Sequence, residues 1–220
     1  MANNERFQFV DWNRRPYAEA VDEMNLIVEQ RIAGNGSDTI IFVEHDPVIT
    51  MGRRARAEHL VGYASSDGKT IGGIPVVYTD RGGDVTLHSP GQLVIYPVIR
   101  LKVREQRLHD LLIAYENLII QTALAFGVKA CRIEGRTGAW TPRGKLASIG
   151  IHIRRWTTYH GIALNVSNDL SLFDNIIPCG LHGIKMASLE SETNRALDMA
   201  EVKKQIASLF QKVWEQMMAR

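Results

Sequence analysis

The chain has 220 residues, 45% of them hydrophobic and 23% charged, with 18 Gly and 7 Pro. This ordinary globular usage excludes disordered, collagen-like and low-complexity classes, and the length suits one domain of α/β or α+β type. A net charge of +2, from 26 Lys and Arg against 24 Asp and Glu, is too small for a typical nucleic-acid binder; two cysteines, Cys131 and Cys179, exclude a disulfide framework.

In chain order, a strand is expected over 6–12. A helix follows, with Pro16 in its first turn and Tyr17, Ala20, Val21, Met24, Ile27, Val28 and Arg31 on one side at helical spacing. Residues 34–38 break that pattern, and the β-branched run 39–45 reads as a central strand that 47–51 continues or pairs with. The stretch 52–73 is polar, Gly-rich and longer than an ordinary connection, which marks it as functional or poorly ordered. Strands are expected over 75–79, 85–88 and 92–100, with turns at 81–84 and 89–91. The clearest helix is 108–126. Leu108, Leu111, Leu112, Tyr115, Leu118, Ile119, Thr122, Ala123 and Phe126 form its apolar face, and Gly127 ends it. Further strands fall at 129–133, 137–141, 146–153 and 157–166. A last helix begins near Asp198, which has capping-box spacing to Glu201, and turns Val202, Ile206, Leu209, Phe210, Val213 and Met217 to the core. The expected fold class is α/β, in the α+β sense: a single domain over 1–220 with helices flanking one mixed β-sheet. The first six residues lack a basic-then-apolar leader pattern, and no apolar run approaches the roughly 20 residues of a bilayer span. A soluble, cytoplasmic protein is expected.

Several chemistries lack the residues they need. A P-loop requires Gly-x4-Gly-Lys-Ser/Thr; the nearest stretch, 138–146, has other spacing, ends in Leu146 and carries Pro142 where a cradling donor belongs. There is no Gly-x-Gly-x-x-Gly after a strand and no Gly-x-Ser-x-Gly elbow. Cys179 and His182 have metal-pair spacing, but a second pair would come from His152 and His160, so no metal is expected.

Three segments remain. Arg81-Gly82-Gly83-Asp84 leads into Val85-Thr86-Leu87-His88, where paired glycines either let backbone approach a ligand or simply turn the chain. Residues 144–152 and 159–166 are rich in small side chains and read as a groove floor or as a tightly packed sheet. Lys145 there is either functional or a surface lysine at a strand end. In Asn175-Ile176-Ile177-Pro178-Cys179-Gly180-Leu181-His182 a cysteine sits between Pro and Gly, in a fixed turn; it is a nucleophile or a structural thiol. Cys131, inside Val128-Lys129-Ala130-Cys131-Arg132-Ile133, reads as an inert core thiol. The basic clusters are Arg53, Arg54 and Arg56, then Arg100, Lys102, Arg104 and Arg107, then Arg154 and Arg155. They are solvated surface or a docking face for an acidic protein or anionic ligand.

Taken together these segments resemble the octanoyltransferases of lipoate synthesis. The likeness covers 43–53, the 81–92 block ending in Tyr96, 144–150, 159–166 and Pro178-Cys179-Gly180, in order along most of the chain. One departure is Leu87, where the family has an aromatic before the histidine of the Gly-Gly block; it would alter the pocket's shape and chain-length preference. The resemblance implies a fold like the catalytic module of biotin and lipoate protein ligases. It implies octanoyl transfer from octanoyl-acyl carrier protein to a lysine on lipoyl domains of 2-oxoacid dehydrogenase E2 subunits and the glycine cleavage H protein. Cys179 would be the nucleophile and Lys145 its activating partner. Arg81, Gly82, Gly83, Asp84, Val85, Thr86, Leu87, His88, Ser148, Ile149, Gly150, Gly161, Ile162 and Ala163 would bind the acyl chain, with His88, His160 and Asn165 behind them. The protein would act as a monomer without ATP, metal or nicotinamide, and the acidic carrier protein would suit the arginine clusters.

The chemistry suits these residue types. A thiol accepts an acyl group from a thioester in a nearly thermoneutral exchange and keeps it reactive toward an amine. An ammonium about 4 Å away, at an effective dielectric near 20, favours the thiolate by up to ~4 kcal/mol before desolvation. An ATP-dependent lipoate or biotin protein ligase on the same fold, which would not need Cys179, is the competing enzyme. A non-catalytic binding module for lipoyl domains or carrier protein is the third reading.

Overall fold

The computed structural model describes residues 6–102, 105 and 107–219. In chain order it forms β1 (Phe7–Arg14), α1 (Tyr17–Ile32), β2 (Asp38–Glu44), β3 (Val48–Met51), β4 (Thr70–Ile71), β5 (Ile74–Tyr78), β6 (Val85–His88) and β7 (Gln92–Val98). There follow α2 (Leu108–Ala125), β8 (Cys131–Ile133), β9 (Arg136–Thr141), β10 (Gly144–Arg154), β11 (Thr157–Asn165), α3 (Leu189–Thr193) and α4 (Met199–Met218). A seven-stranded sheet has the order β1-β2-β7-β11-β10-β9-β8, and a four-stranded sheet the order β4-β5-β3-β6.

Period-two alternation divides the larger sheet's side chains between two apolar layers. Ile40 and Phe42 of β2, Leu93 and Ile95 of β7, and Ile162 and Leu164 of β11 pack with α2 and α4. Their alternates Ile41, Val43, Val94, Tyr96 and Ala163 pack with Ala20, Met24 and Val28 of α1. Phe7 clamps α4 to the sheet, edge-on to Phe210 at 5.0 Å and to Trp214 at 5.4 Å between ring centroids. A third cluster, with Ile49, Met51, Val85, Leu87 and Phe173, fills the space under the small sheet.

The expectation of one sheet is corrected to two. Segment 47–51 neither continues nor pairs with β2. After Asp46 and Pro47 the chain leaves the large sheet, and β3 pairs in parallel with β5 and antiparallel with β6. β2 is buried on both faces yet second from the edge rather than central. Cys131 is not a core thiol: β8 is the sheet's edge strand and all three of its residues are exposed. Asp198 caps α4 through Ala200 N, without the reciprocal bond from Glu201; the reciprocal box belongs to Ser188 and Ser191 at α3. Gly127 takes the left-handed conformation expected after α2. Of the arginine clusters, Arg104 lies outside the described residues, as do residues 1–5. Among the described residues no helix is long and apolar enough to cross a membrane.

The two sheets meet where the Arg81–Asp84 turn crosses β10. Gly82 N donates to Ile151 O at 3.0 Å, and Arg53 N and Arg54 N donate to Arg81 O and Gly83 O at 3.1 and 3.0 Å. A methyl group on Gly150 would lie 2.6 Å from Gly82 O, so both glycines serve close approach of backbone.

Candidate active site

Lys145 is not a surface lysine. It is 2% exposed, held in β10 opposite Trp140, and its backbone pairs on the other side with Lys185 O (2.8 Å) and Ala187 N (2.9 Å). Asn165 locks that side by donating to Ala187 O at 2.9 Å. The ammonium Nζ lies 2.9 Å from Cys179 Sγ and 5.1 Å from the centroid of the Trp140 ring. Among the described residues no carboxylate pairs with it. A buried ammonium without a carboxylate is costly, and a thiolate is the one group in contact that would compensate its charge.

Cys179 sits in the short 3-10 turn Pro178–Gly180 with φ 59° and ψ 19°. This left-handed conformation is uncommon for a residue with a side chain, and such positions cluster at functional sites. The turn is pinned from outside: Ile177 N donates to His59 O at 2.8 Å, and Val61 N and Gly62 N both donate to Asn175 O. Gly180, also left-handed, leaves no room for a methyl group, which would fall 2.7 Å from Asp84 Oδ2 and 2.9 Å from His59 Cε1.

Two cavities meet at the sulfur. The first is narrow and is walled by Arg81, Gly83, Asp84, Val85, Thr86, His88, Ser148, Ile149, Gly150, Gly161, Ile162 and Ala163, with Tyr17, Val94, Tyr96 and His160 completing its lining. The second is wider, about 1070 Å³ and open to solvent, and is lined by Arg54, Arg56, His59, Asp84, Arg136, Lys145, Leu181 and Cys179. Most of the acyl-binding positions expected from sequence therefore surround one cavity. Two do not. Gly82 stands behind the wall against β10, and Leu87 points away, fully buried in the third cluster. The Leu87 departure thus leaves the cavity wall untouched, because Leu87 lies on the face of β6 opposite Thr86 and His88 and is fully buried under the small sheet.

Polar but uncharged groups lie along the first cavity and, with His45 behind Tyr96, in the layer that backs it. His45 Nε2 lies 2.8 Å from Tyr96 Oη, and its Nδ1 2.9 Å from Arg15 O; burial pushes its pKa down to about 4. His88 pairs with Gln92 Oε1 at 2.7 Å and is pushed down to about 3, again by burial. Burial raises the Tyr96 phenol well above its usual range. His160 is also lowered, mainly by burial, while its bond to Asp80 (2.8 Å) holds that carboxyl well below the usual carboxylate range. Arg81 is the charged exception. Its guanidinium is braced by Thr50 Oγ1 (2.9 and 3.0 Å), Thr50 O (2.6 Å) and Gly82 O (3.1 Å), beneath the Gly-Gly turn.

The 52–73 stretch supplies His59, which sequence reasoning passed over, together with Arg54 and Arg56 of the first arginine cluster. Arg53 and Arg54 also border a separate apolar groove floored by Ile149, Ile151 and Ile153 and flanked by Leu108 and Leu112. The other clusters are partly spent on structure, as Arg154 pairs with Glu29 at 2.6 Å and Arg107 with Asp110 at 2.9 Å. Among the described residues, no group of three His, Cys, Asp or Glu is placed to hold a metal ion.

The family described as lipoyl protein ligase A/B catalytic domain matches residues 16–211, a span that includes both cavities and the Lys145–Cys179 pair. The chain belongs to that family. An octanoyltransferase of Maridesulfovibrio salexigens is 41% identical over 207 residues, 94% of this chain and 96% of the relative. An octanoyltransferase of Syntrophotalea carbinolica is 44% identical over 202 residues, 90% and 92% of the two chains. In fold, protein Ta0514 of T. acidophilum, a putative lipoate protein ligase, superposes with a TM-score of 0.71 at 15% identity, covering 96% of this chain and 86% of that one. Within this lipoyl ligase family the α/β architecture expected from sequence is the shared one.

Proposed function

We propose that the protein is an octanoyltransferase that moves an octanoyl group from octanoyl-acyl carrier protein to a lysine of lipoyl domains, through a thioester on Cys179. The observation that carries this reading is the 2.9 Å contact between Lys145 Nζ and Cys179 Sγ at the junction of two cavities. The narrow cavity, roofed by backbone and small side chains, suits an alkyl chain; the wide one suits the two proteins that must reach the sulfur in turn.

At 2.9 Å and an effective dielectric near 20, Coulomb attraction between ammonium and thiolate is about 6 kcal/mol before desolvation. The thiolate attacks the donor's thioester carbon and the carrier's sulfur leaves, taking a proton from Lys145 Nζ. The acceptor amine then attacks the Cys179 thioester. Lys145, now neutral, takes one proton from the attacking nitrogen as the thiolate is expelled, which restores the starting pair. Each step passes through an oxyanion. Gly82 N–H is spent on Ile151 O, whereas Gly83 and Cys179 N–H bond no described residue and are free to receive it. The family's likeness to ligases makes the nucleotide question decisive. The purified protein is to be given octanoyl-acyl carrier protein and a lipoyl domain without nucleotide, and separately octanoate with ATP. Octanoylated domain in the first mixture alone supports transfer; product that appears only with ATP refutes it.

A further inference from the structure

Proton counting leaves one step of this reaction without a base. An acceptor lysine arrives as an ammonium and ends as an amide N–H, so two protons must leave it. Lys145 has given up one proton to the departing carrier thiol and can take back only one. The other proton has to be removed before the amine can attack at all.

His59 is built to take it. The residue is 8% exposed, with Nδ1 2.9 Å from Asp84 Oδ1. That oxygen also accepts from Val85 N at 2.6 Å, so it is the acceptor in both bonds and Nδ1 carries the hydrogen. Nε2 is then left with its lone pair. The nearest acidic oxygen, Glu58 Oε1, is 4.0 Å away, and no described residue hydrogen-bonds to Nε2. The ring edge abuts Gly180, next to the nucleophile, and His59 shares the wide cavity with Lys145 and Cys179. An imidazole oriented by a carboxylate, with its second nitrogen open, is the arrangement of a general base.

We propose that His59, oriented by Asp84, takes the first proton from the acceptor ammonium; this rests on the thioester reading above. In balance, R–NH3+ and neutral His59 give R–NH2 and protonated His59. The amine attacks the Cys179 thioester, Lys145 takes the second proton as the thiolate leaves, and His59 releases its proton to solvent.

The test separates a base from a brace. His59→Asn keeps a donor toward Asp84 but has no basic nitrogen; His59→Gln is its companion, and Asp84→Asn weakens the base while keeping its hydrogen bond. Each protein is loaded with octanoyl-acyl carrier protein, and single-turnover deacylation is followed with a lipoyl domain and with methoxyamine, an amine already neutral at pH 7. The expected result for both His59 variants is thioester formation within about 3-fold of wild type. Transfer to the lipoyl domain slows by about 100-fold or more, and transfer to methoxyamine changes by less than about 3-fold. Once loaded, Asp84→Asn slows transfer to the lipoyl domain by about 10-fold and changes transfer to methoxyamine by less than about 3-fold. Equal slowing with both acceptors, or no slowing with either, overturns the role of His59 while leaving the thioester intact. If the wild-type protein forms no thioester, the underlying reading fails with it.

Discussion

Acidification tests the claim that His88 along the narrow cavity and His45 behind its Tyr96 are kept uncharged. His45 and His88 are buried with pKa values near about 4 and about 3, against roughly 6.5 in an unfolded chain. A depressed histidine binds its proton less well when folded, so the stability present above pH 6.5 is lost as pH falls toward the folded values. Between pH 8 and pH 5 each histidine removes about 2 kcal/mol, and the pair about 4 kcal/mol. That is a large share of the 5–15 kcal/mol typical of a domain. With a urea m-value of about 2.5 kcal/mol/M, the midpoint falls by roughly 1.5 M over that range. Urea unfolding of the wild type and of His45→Gln/His88→Gln at both pH values measures this. The double variant is less stable at pH 8, yet its pH 8-to-5 loss is smaller by about 4 kcal/mol. An unchanged loss in the double variant would refute the reasoning. The groups facing this pair are Tyr17, Arg81, Tyr96, Gln92, His160 and, at His45, Asp46, which opposes the effect of burial; His160 adds to the same trend because burial lowers it too.

Three further outcomes are expected. Gly150→Ala puts a methyl group 2.6 Å from Gly82 O and pushes the turn off β10, at about 1–3 kcal/mol; thermal unfolding should shift down by roughly 3–10 °C. Arg81→Lys cannot reproduce the fork on Thr50 and loses about 2–3 kcal/mol, measurable as a lower urea midpoint. Cys131→Ser keeps activity within about twofold and removes one rapidly reacting thiol in a titration with an aromatic disulfide, because Cys131 is exposed on an edge strand.

Much of the fold was legible because the elements carry strong local signals. The apolar stripe and terminal Gly of α2 and the β-branched run of β2 fall within a residue or two of expectation. The division into two sheets was not, since pairing partners are chosen by long-range packing: nothing local in 47–51 says that it pairs with 74–78 rather than with its neighbour. Cys131 misled for a related reason, as a short strand segment such as 128–133 looks alike whether the strand is central or at an edge. At the site, Pro178-Cys179-Gly180 and Lys145 stood out through the family resemblance, not through spacing. His59 and the place of Tyr17 at the narrow cavity were missed because their roles depend on what lies across from them. His59 sits in a polar loop with no periodicity, and only the fold brings Asp84, 25 positions along the chain, into contact with it.

The central claim is that Cys179, held beside the Lys145 ammonium, carries the acyl group. Intact-mass measurement after brief exposure to octanoyl-acyl carrier protein, without acceptor, tests it most directly. The wild-type protein should gain one octanoyl group that hydroxylamine removes, Cys179→Ser should show no hydroxylamine-labile adduct, and Lys145→Met should gain it far more slowly. An unmodified wild-type protein that nonetheless octanoylates a lipoyl domain, or an adduct that persists unchanged in Cys179→Ser, would contradict it.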